Sequence, residues 1–243
     1  MASGVWKRRA IAGLVLAAAV VGLGLWPTTT RYGVNYQWSS KRIPLFEKTV
    51  NFVSRDLQLR RLAREVADGA SSEEQKALKI FAWVVRNVQP TPPGFPVVDD
   101  HVLHILIRGY GAPDQRSEAL AVLASYNGMP ATAAAVSIPD ERATLVLTLV
   151  QVNGRIAVFD VGHELVFRNT SGQFADLDDI AREPSLVTNA VRGISIYGVP
   201  YQRYVVGFRE LRPAFSRMEQ QKLWPRITFE VGRWIHIGGA NKN

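Results

Sequence analysis

Residues 144 to 152 read Thr-Leu-Val-Leu-Thr-Leu-Val-Gln-Val, Asn153-Gly154 follows, and residues 155 to 161 return as Arg-Ile-Ala-Val-Phe-Asp-Val. No other segment restricts the fold as much. Two runs rich in β-branched and apolar residues, joined by Asn-Gly, predict an antiparallel hairpin. That dipeptide accepts the two positive φ angles of a type I′ turn, whose twist matches the strands it joins. Ala131 to Ile138 predicts a third strand. A small antiparallel sheet is therefore expected in the second half of the chain.

Helical patterns precede it. From Phe46 to Val66 the apolar residues Val50, Phe52, Val53, Leu57, Leu59, Leu62 and Val66 recur at helical spacing, with Arg55, Arg60, Arg61 and Arg64 on the other face. That basic stripe reads as a solvated face, or as a surface turned to a membrane. Ser71-Ser72-Glu73-Glu74-Gln75 is a capping-box start for a helix through Leu78, Ile80, Phe81, Val84 and Val85. The proline-rich stretch Gln89 to Pro96 reads as a loop. A short helix from Val102 to Ile107 is expected, N-capped by Asp99-Asp100 and ended by Gly109. A further helix runs from Arg116 to Asn127 and is broken by Gly128-Met129-Pro130. Helices followed by strands make the chain α+β.

Lys7, Arg8 and Arg9 stand before an unbroken apolar run from Ala10 to Trp26, which Pro27 and Thr28-Thr29-Thr30 end. As a helix this run covers about 25 Å, close to a bilayer core of ~30 Å, with Val5, Trp6 and Lys7 to make up the difference. The basic flank, residues 1–9, then stays cytoplasmic, and residues 10–26 form a single-pass signal-anchor. The rest of the chain faces the extracytoplasmic (periplasmic) side. A cleaved signal peptide is the alternative, although no small-x-small site follows the run.

Residues 27–70 read as a juxtamembrane arm and helix, 71–200 as the main domain, and 201–243 as a basic, aromatic C-terminal segment. In that last segment Trp224, Phe229 and Trp234 lie among Arg203, Arg209, Arg212, Arg217, Lys222, Arg226 and Arg233. It either rests on a membrane surface or caps the core. The formal net charge of +8 and a pI near 10.0 favour anionic partners, either lipid headgroups or acidic glycans. No stacking, zinc-spacing or helix-turn-helix signature appears, so nucleic acid is not expected. The chain has no cysteine, which rules out disulfides, zinc–thiolate sites and thiol catalysis.

The segment Gly109-Tyr110-Gly111-Ala112-Pro113-Asp114-Gln115 runs into a helix with Ala119, Leu120 and Leu123, then Gly128-Met129-Pro130-Ala131, then the Gly154-Arg155 hairpin and Asp160 at a strand end. This order resembles the core of the transglutaminase-like (papain-like cysteine protease) superfamily over roughly Ser72 to Leu186. The resemblance implies a core of helices packed on a small antiparallel sheet. In that family a cysteine at the helix N-terminus is the nucleophile, a histidine activates it and an aspartate orients the histidine. The cysteine position falls here on Pro113. Counting back from the Gly154-Arg155 turn puts the histidine position at about Leu145, and only Asp160 keeps its type. The resemblance thus implies a degenerate member with no catalytic residues.

Proline suits the first turn of a helix, where its missing N–H costs nothing. Asp114 is a candidate cap. Asp114, Gln115 and His163 are the candidate pocket residues, and a carboxylate–histidine pair is able to orient a water. Ser117 stands one turn beyond the nucleophile position. Asp99-Asp100-His101 with His104 has metal-ligand residue types but no motif of known geometry, so no metal and no cofactor are expected. The sequence therefore points to a non-enzymatic, membrane-anchored scaffold or binding subunit within a membrane protein complex for envelope assembly. Surface-polysaccharide production is the pathway class the resemblance implies. The alternative is a divergent hydrolase that uses Asp160, His163 and Asp114 on a peptide or glycan.

Overall fold

A computed structural model describes residues 2–32, 39–98 and 101–237. In chain order the elements begin with α1 (Ala2–Gly24), β1 (Pro27–Tyr32), β2 (Ser39–Pro44), α2 (Leu45–Ala67), α3 (Glu73–Asn87), β3 (Gln89–Pro90) and α4 (Val102–Arg108). They continue with β4 (Tyr110–Gly111), α5 (Pro113–Tyr126), β5 (Ala131–Ser137), β6 (Thr144–Val152), β7 (Arg155–Asp160) and β8 (Leu165–Val166). After these come α6 (Leu177–Arg182), α7 (Ser185–Thr188), β9 (Ser195–Ile196), β10 (Val199–Pro200), a 3-10 segment (Tyr201–Glu210), α8 (Ser216–Glu219) and α9 (Leu223–Ile237). The architecture is α+β, as the order of patterns predicts.

The centre is an antiparallel sheet in the order β5-β6-β7-β8. Asn153 (φ 51°) and Gly154 (φ 79°) supply the two positive φ angles expected of the β6–β7 turn. β6 explains its own apolar run, because both of its faces are covered. Leu145, Leu147 and Leu149 point into one core with Tyr201, Tyr204, Phe208 and Ile180. Val150 and Val152 point into the other, with Leu120, Leu123, Ile80 and Leu59.

That second layer is built around α5, which is buried from Gln115 to Ser125. Small residues such as Ala119, Ala121 and Ala124 let it lie tightly between the sheet and the other helices. At its C-terminus Asn127 donates to the Ala63 carbonyl (2.8 Å), tying α5 to α2.

Several local expectations change. The inward face of α2 is Asp56, Leu59, Ala63 and Ala67, while Val50 and Leu57 are 61% and 59% exposed. Of the expected stripe Leu59 is buried and Leu62 and Val66 pack against the core, so the second half of the pattern holds, while Asp56 takes an inward place that the pattern gave to Leu57. That is tolerable because the Asp56 carboxylate accepts hydrogen bonds from Arg60, Tyr126 and the Leu223 amide. The N-cap of α4 is His101, whose Nδ1 accepts from the Leu103 amide (3.3 Å). Asp99 and Asp100, the expected cap, lie outside the described residues. α3 does start with Ser72 as N-cap, accepting from the Gln75 amide at 3.2 Å.

The boundary expected at residue 201 falls inside the fold. Tyr201 and Tyr204 are fully buried, and the 3-10 segment closes the outer face of the sheet. At the N-terminus α1 stops at Gly24, a turn takes Leu25, and β1 opens at Pro27. The apolar part of the helix, residues 10–24, therefore covers about 22 Å at ~1.5 Å per residue. Among the described residues no helix is long and apolar enough to cross a membrane.

Candidate functional site

Pro113 is the first residue of α5, as its missing N–H favours, and its ring is exposed. Asp114 does not cap the helix. The N-cap is Ala112, and its amide is accepted instead by the side chain of Gln115 (Oε1, 3.1 Å). Gln115 is buried and donates through Nε2 to the Val98 carbonyl at 2.7 Å. It pins the preceding loop to the helix start, so its amide is occupied by structure. Gly111 stands behind it, because a Cβ there would lie 3.1 Å from the Gln115 side chain.

Beside Pro113 lies the turn after β7. A Cβ built on Gly162 would sit 3.9 Å from Pro113 Cβ and 3.2 Å from Asp160 Oδ1. Glycine therefore lets the turn close on the helix start. Asp160 is fully buried at the end of β7. Its Oδ1 accepts from the His163 amide (3.0 Å), and its Oδ2 faces both His163 Nδ1 and the Tyr201 hydroxyl, each at 2.8 Å. The rings of His163 and Tyr201 meet edge to face with centroids 5.4 Å apart. Burial, with the charge of Asp160, pushes the Tyr201 phenol well above its ordinary value, so it stays protonated and donates.

The hydrogen bond to Asp160 raises the His163 pKa, against burial and the charge of Arg116. With Nδ1 donating to the carboxylate, Nε2 is the ring atom that gains or loses a proton.

Arg116 completes the polar cluster from the helix side. It is 2% exposed, its Nε donates to the Val88 carbonyl at 2.8 Å, and its Nη2 is buried without a hydrogen bond. Burial lowers its pKa, while the nearby carboxylates of Glu164 and Asp160 favour its charged form.

Two sequence expectations do not meet here. Leu145 points into the core on the far side of the sheet from α5, so it does not line the Pro113 side. Strand parity decides this: Thr148, three residues on, faces α5 and donates to the Ser117 carbonyl (3.1 Å). The Ser117 hydroxyl is fully buried, which removes it as a surface nucleophile. Of the pocket candidates, His163 joins Asp160, and Gln115 serves the Ala112–Val98 junction.

Sequence reasoning missed Tyr201, Arg116, Gly162 and Glu164. Local signal for the first is absent, since Tyr201 reaches Asp160 across 41 residues of chain. The burial of Arg116 had no local signal either, since it stands in a polar first half of α5 beside Asp114, Gln115, Ser117 and Glu118.

A separate cleft of about 360 Å³ lies on the other side of the sheet, lined by Arg155, Asp176, Phe208, Arg209 and Arg212. Its Arg155 is bound to Asp176 and Asp179 at 2.6 Å each. No group of three His, Asp or Glu side chains converges as a metal site among the described residues.

No family model and no curated protein matches the sequence. Among solved structures, one similar chain is provisionally described as a protease from Parabacteroides distasonis. It shares 15% identity at a TM-score of 0.37, over 56% of this chain and 36% of that one. A second is provisionally described as a cysteine protease from Cytophaga hutchinsonii, with 17% identity, a TM-score of 0.39 and coverage of 57% and 52%. A third is a transglutaminase, with 15% identity, a TM-score of 0.34 and coverage of 61% and 46%. The matched part thus spans about a third to a half of each of these proteins.

Proposed function

We propose that this chain is a transglutaminase-like domain without acyl-transfer chemistry, held at a membrane and binding a partner in envelope assembly. The observation that carries the reading is Pro113 at the first position of α5. A helix N-terminus lowers the pKa of a thiol placed there, which is where covalent acyl chemistry of this class begins. Proline offers neither a thiol nor an N–H, and the whole chain has no cysteine. The neighbouring Ser117 hydroxyl is sealed in the core. What stays at the surface is a binding edge made by Pro113, Gly162 and His163.

Membrane attachment rests on α1. Its apolar side chains face outward all round, with Leu14 at 71%, Leu16 at 67% and Val20 at 61% exposure. Lys7, Arg8 and Arg9 precede them. Such a surface is stable in an apolar phase and costly in water. The extracytoplasmic side, a surface-polysaccharide pathway and an anionic glycan as ligand belong to the same proposal.

Cross-linking in intact membranes followed by affinity capture tests it. Recovery of a polysaccharide synthase or export protein, or of an acidic glycan, is the expected result. Capture of this chain alone overturns the partner-binding reading.

A second reading is favoured by the 2.8 Å contact of His163 with Asp160, an arrangement able to hold a water for attack on a peptide or glycan. It predicts hydrolysis that His163→Ala abolishes. Equal rates for the two proteins remove it.

A further inference from the structure

α9 is an amphipathic helix whose apolar face is left uncovered. Trp224, Ile227, Thr228 and Val231 share one face at helical spacing, and that face looks outward. Trp224 is 72% exposed, Ile227 41% and Val231 53%. The hydroxyl of Thr228 is already bonded to the Trp224 carbonyl (3.0 Å), so this residue turns no unsatisfied donor outward. The charges beside this face are paired with one another: Arg226 with Glu230 at 2.6 Å, and Lys222 with Glu219 at 2.7 Å.

The first turn of α9 is anchored on α2. Asp56 of α2 accepts the amide of Leu223, the first residue of α9, at 3.1 Å and so caps that helix from another element. α2 carries an outward apolar stripe of its own, Phe46, Val50 and Leu57, exposed by 53%, 61% and 59%. It touches both α9 and α1. Three neighbouring helices thus turn apolar surface to the outside.

We propose that the outer face of α9, continued by the Phe46–Val50–Leu57 stripe of α2, is a second contact with an anionic lipid bilayer. This contact rests on the membrane-held reading of α1. A bilayer fits the charge better than a protein groove does. The net charge is +8, and exposed Arg9 lies on α1, Lys41 and Arg42 on the hairpin between α1 and α2, and Arg61, paired with Glu65 at 2.7 Å, on α2. Tryptophan at the edge of such a face belongs at headgroup depth, where its ring is buried and its N–H stays wet. The contact lays the domain against the membrane instead of leaving it on a free tether.

The absence of cysteine makes the test direct, because one introduced thiol is the only label site. Full-length Val231→Cys, Val50→Cys and Ala190→Cys proteins are each labelled with an environment-sensitive fluorophore and mixed with phosphatidylglycerol-rich vesicles that carry a lipid-borne quencher. Val231 and Val50 labels quenched several-fold more than the Ala190 label support the contact. Chain that floats with the vesicles but shows equal quenching at all three positions overturns it and leaves the α1 anchor standing. Failure to float overturns both. Shielding of the Val231 label without vesicles, together with the mass of two chains, assigns the face to a second copy and likewise overturns the lipid contact.

Discussion

Replacing Asp56 by alanine isolates the joint that sets α9 on α2. The carboxylate is 3% exposed and holds three donors: the Leu223 amide at 3.1 Å, the Tyr126 hydroxyl at 3.0 Å and Arg60 Nη2 at 3.0 Å. Loss of the bond to Leu223 resembles loss of a helix N-cap, about 1 kcal/mol and up to ~2. The Tyr126 hydroxyl also lies 3.0 Å from the Gln221 carbonyl. It keeps one acceptor, so its loss is about 1 kcal/mol instead of a full orphaned donor. Arg60 is 46% exposed in its side chain, and water replaces its partner for less than ~1 kcal/mol.

Asp56→Ala should therefore destabilise by about 2–4 kcal/mol, which lowers the thermal midpoint by about 4–16 °C for a chain of this size. Hydrogen exchange at the first turn of α9 should accelerate with it, because that turn loses its cap. Arg60→Ala should cost less than ~1 kcal/mol and leave the exchange of α9 unchanged. Asp56→Asn, which keeps one acceptor oxygen, should fall between the two. Melting and exchange of the detergent-solubilised proteins measure all three. If Asp56→Ala melts with Arg60→Ala and the first turn of α9 exchanges at its original rate, the joint does not hold the helix and the reasoning fails.

Other outcomes follow from the same physics. His163 should titrate above the ordinary imidazole value of about 6.5, because Asp160 favours its charged form. With its folded pKa raised, its stabilising contribution is complete below about pH 6.5 and disappears as pH rises through the folded value. Asp160→Asn should return the imidazole resonance midpoint towards the ordinary value in NMR titration, and an unchanged midpoint would refute the pairing. Gly207→Ala should cost about 1–3 kcal/mol by overpacking, since its Cβ would lie 2.5 Å from Val136 Cγ1 in the outer core. Denaturant unfolding at the parent midpoint would show that this contact relaxes freely.

Features written in neighbouring residues were legible in the chain. The β6–β7 hairpin follows from Asn153-Gly154, the start of α3 from Ser72 with Gln75, and the start of α5 from Pro113. Each depends on backbone preferences within about four residues. Asp160 at the strand end was legible for the same reason, and His163 beside it is only three residues away.

The faces were a different matter. The inward side of α2 was read correctly at Leu59, Leu62 and Val66, but the apolar pattern gave no place to Asp56. Two of its three partners are 70 and 167 residues away, and only packing brings them to it. Leu145 was placed at the histidine position by counting along the chain from the Gly154-Arg155 turn, and a strand with apolar residues on both faces does not reveal its parity. The positions of Tyr201 and Tyr204 then show which face holds the outer core.

The sequence by itself determined the α+β class, the chain order of the elements and the absence of thiol chemistry, since these depend on local propensity and on which residues exist at all. Tertiary structure alone decided that Asp160 is shared by His163 and Tyr201, that Ser117 is sealed, and that α9 turns its apolar face outward. Those are outcomes of long-range burial, in which a carboxylate or an apolar side chain takes its place according to what the rest of the chain brings beside it.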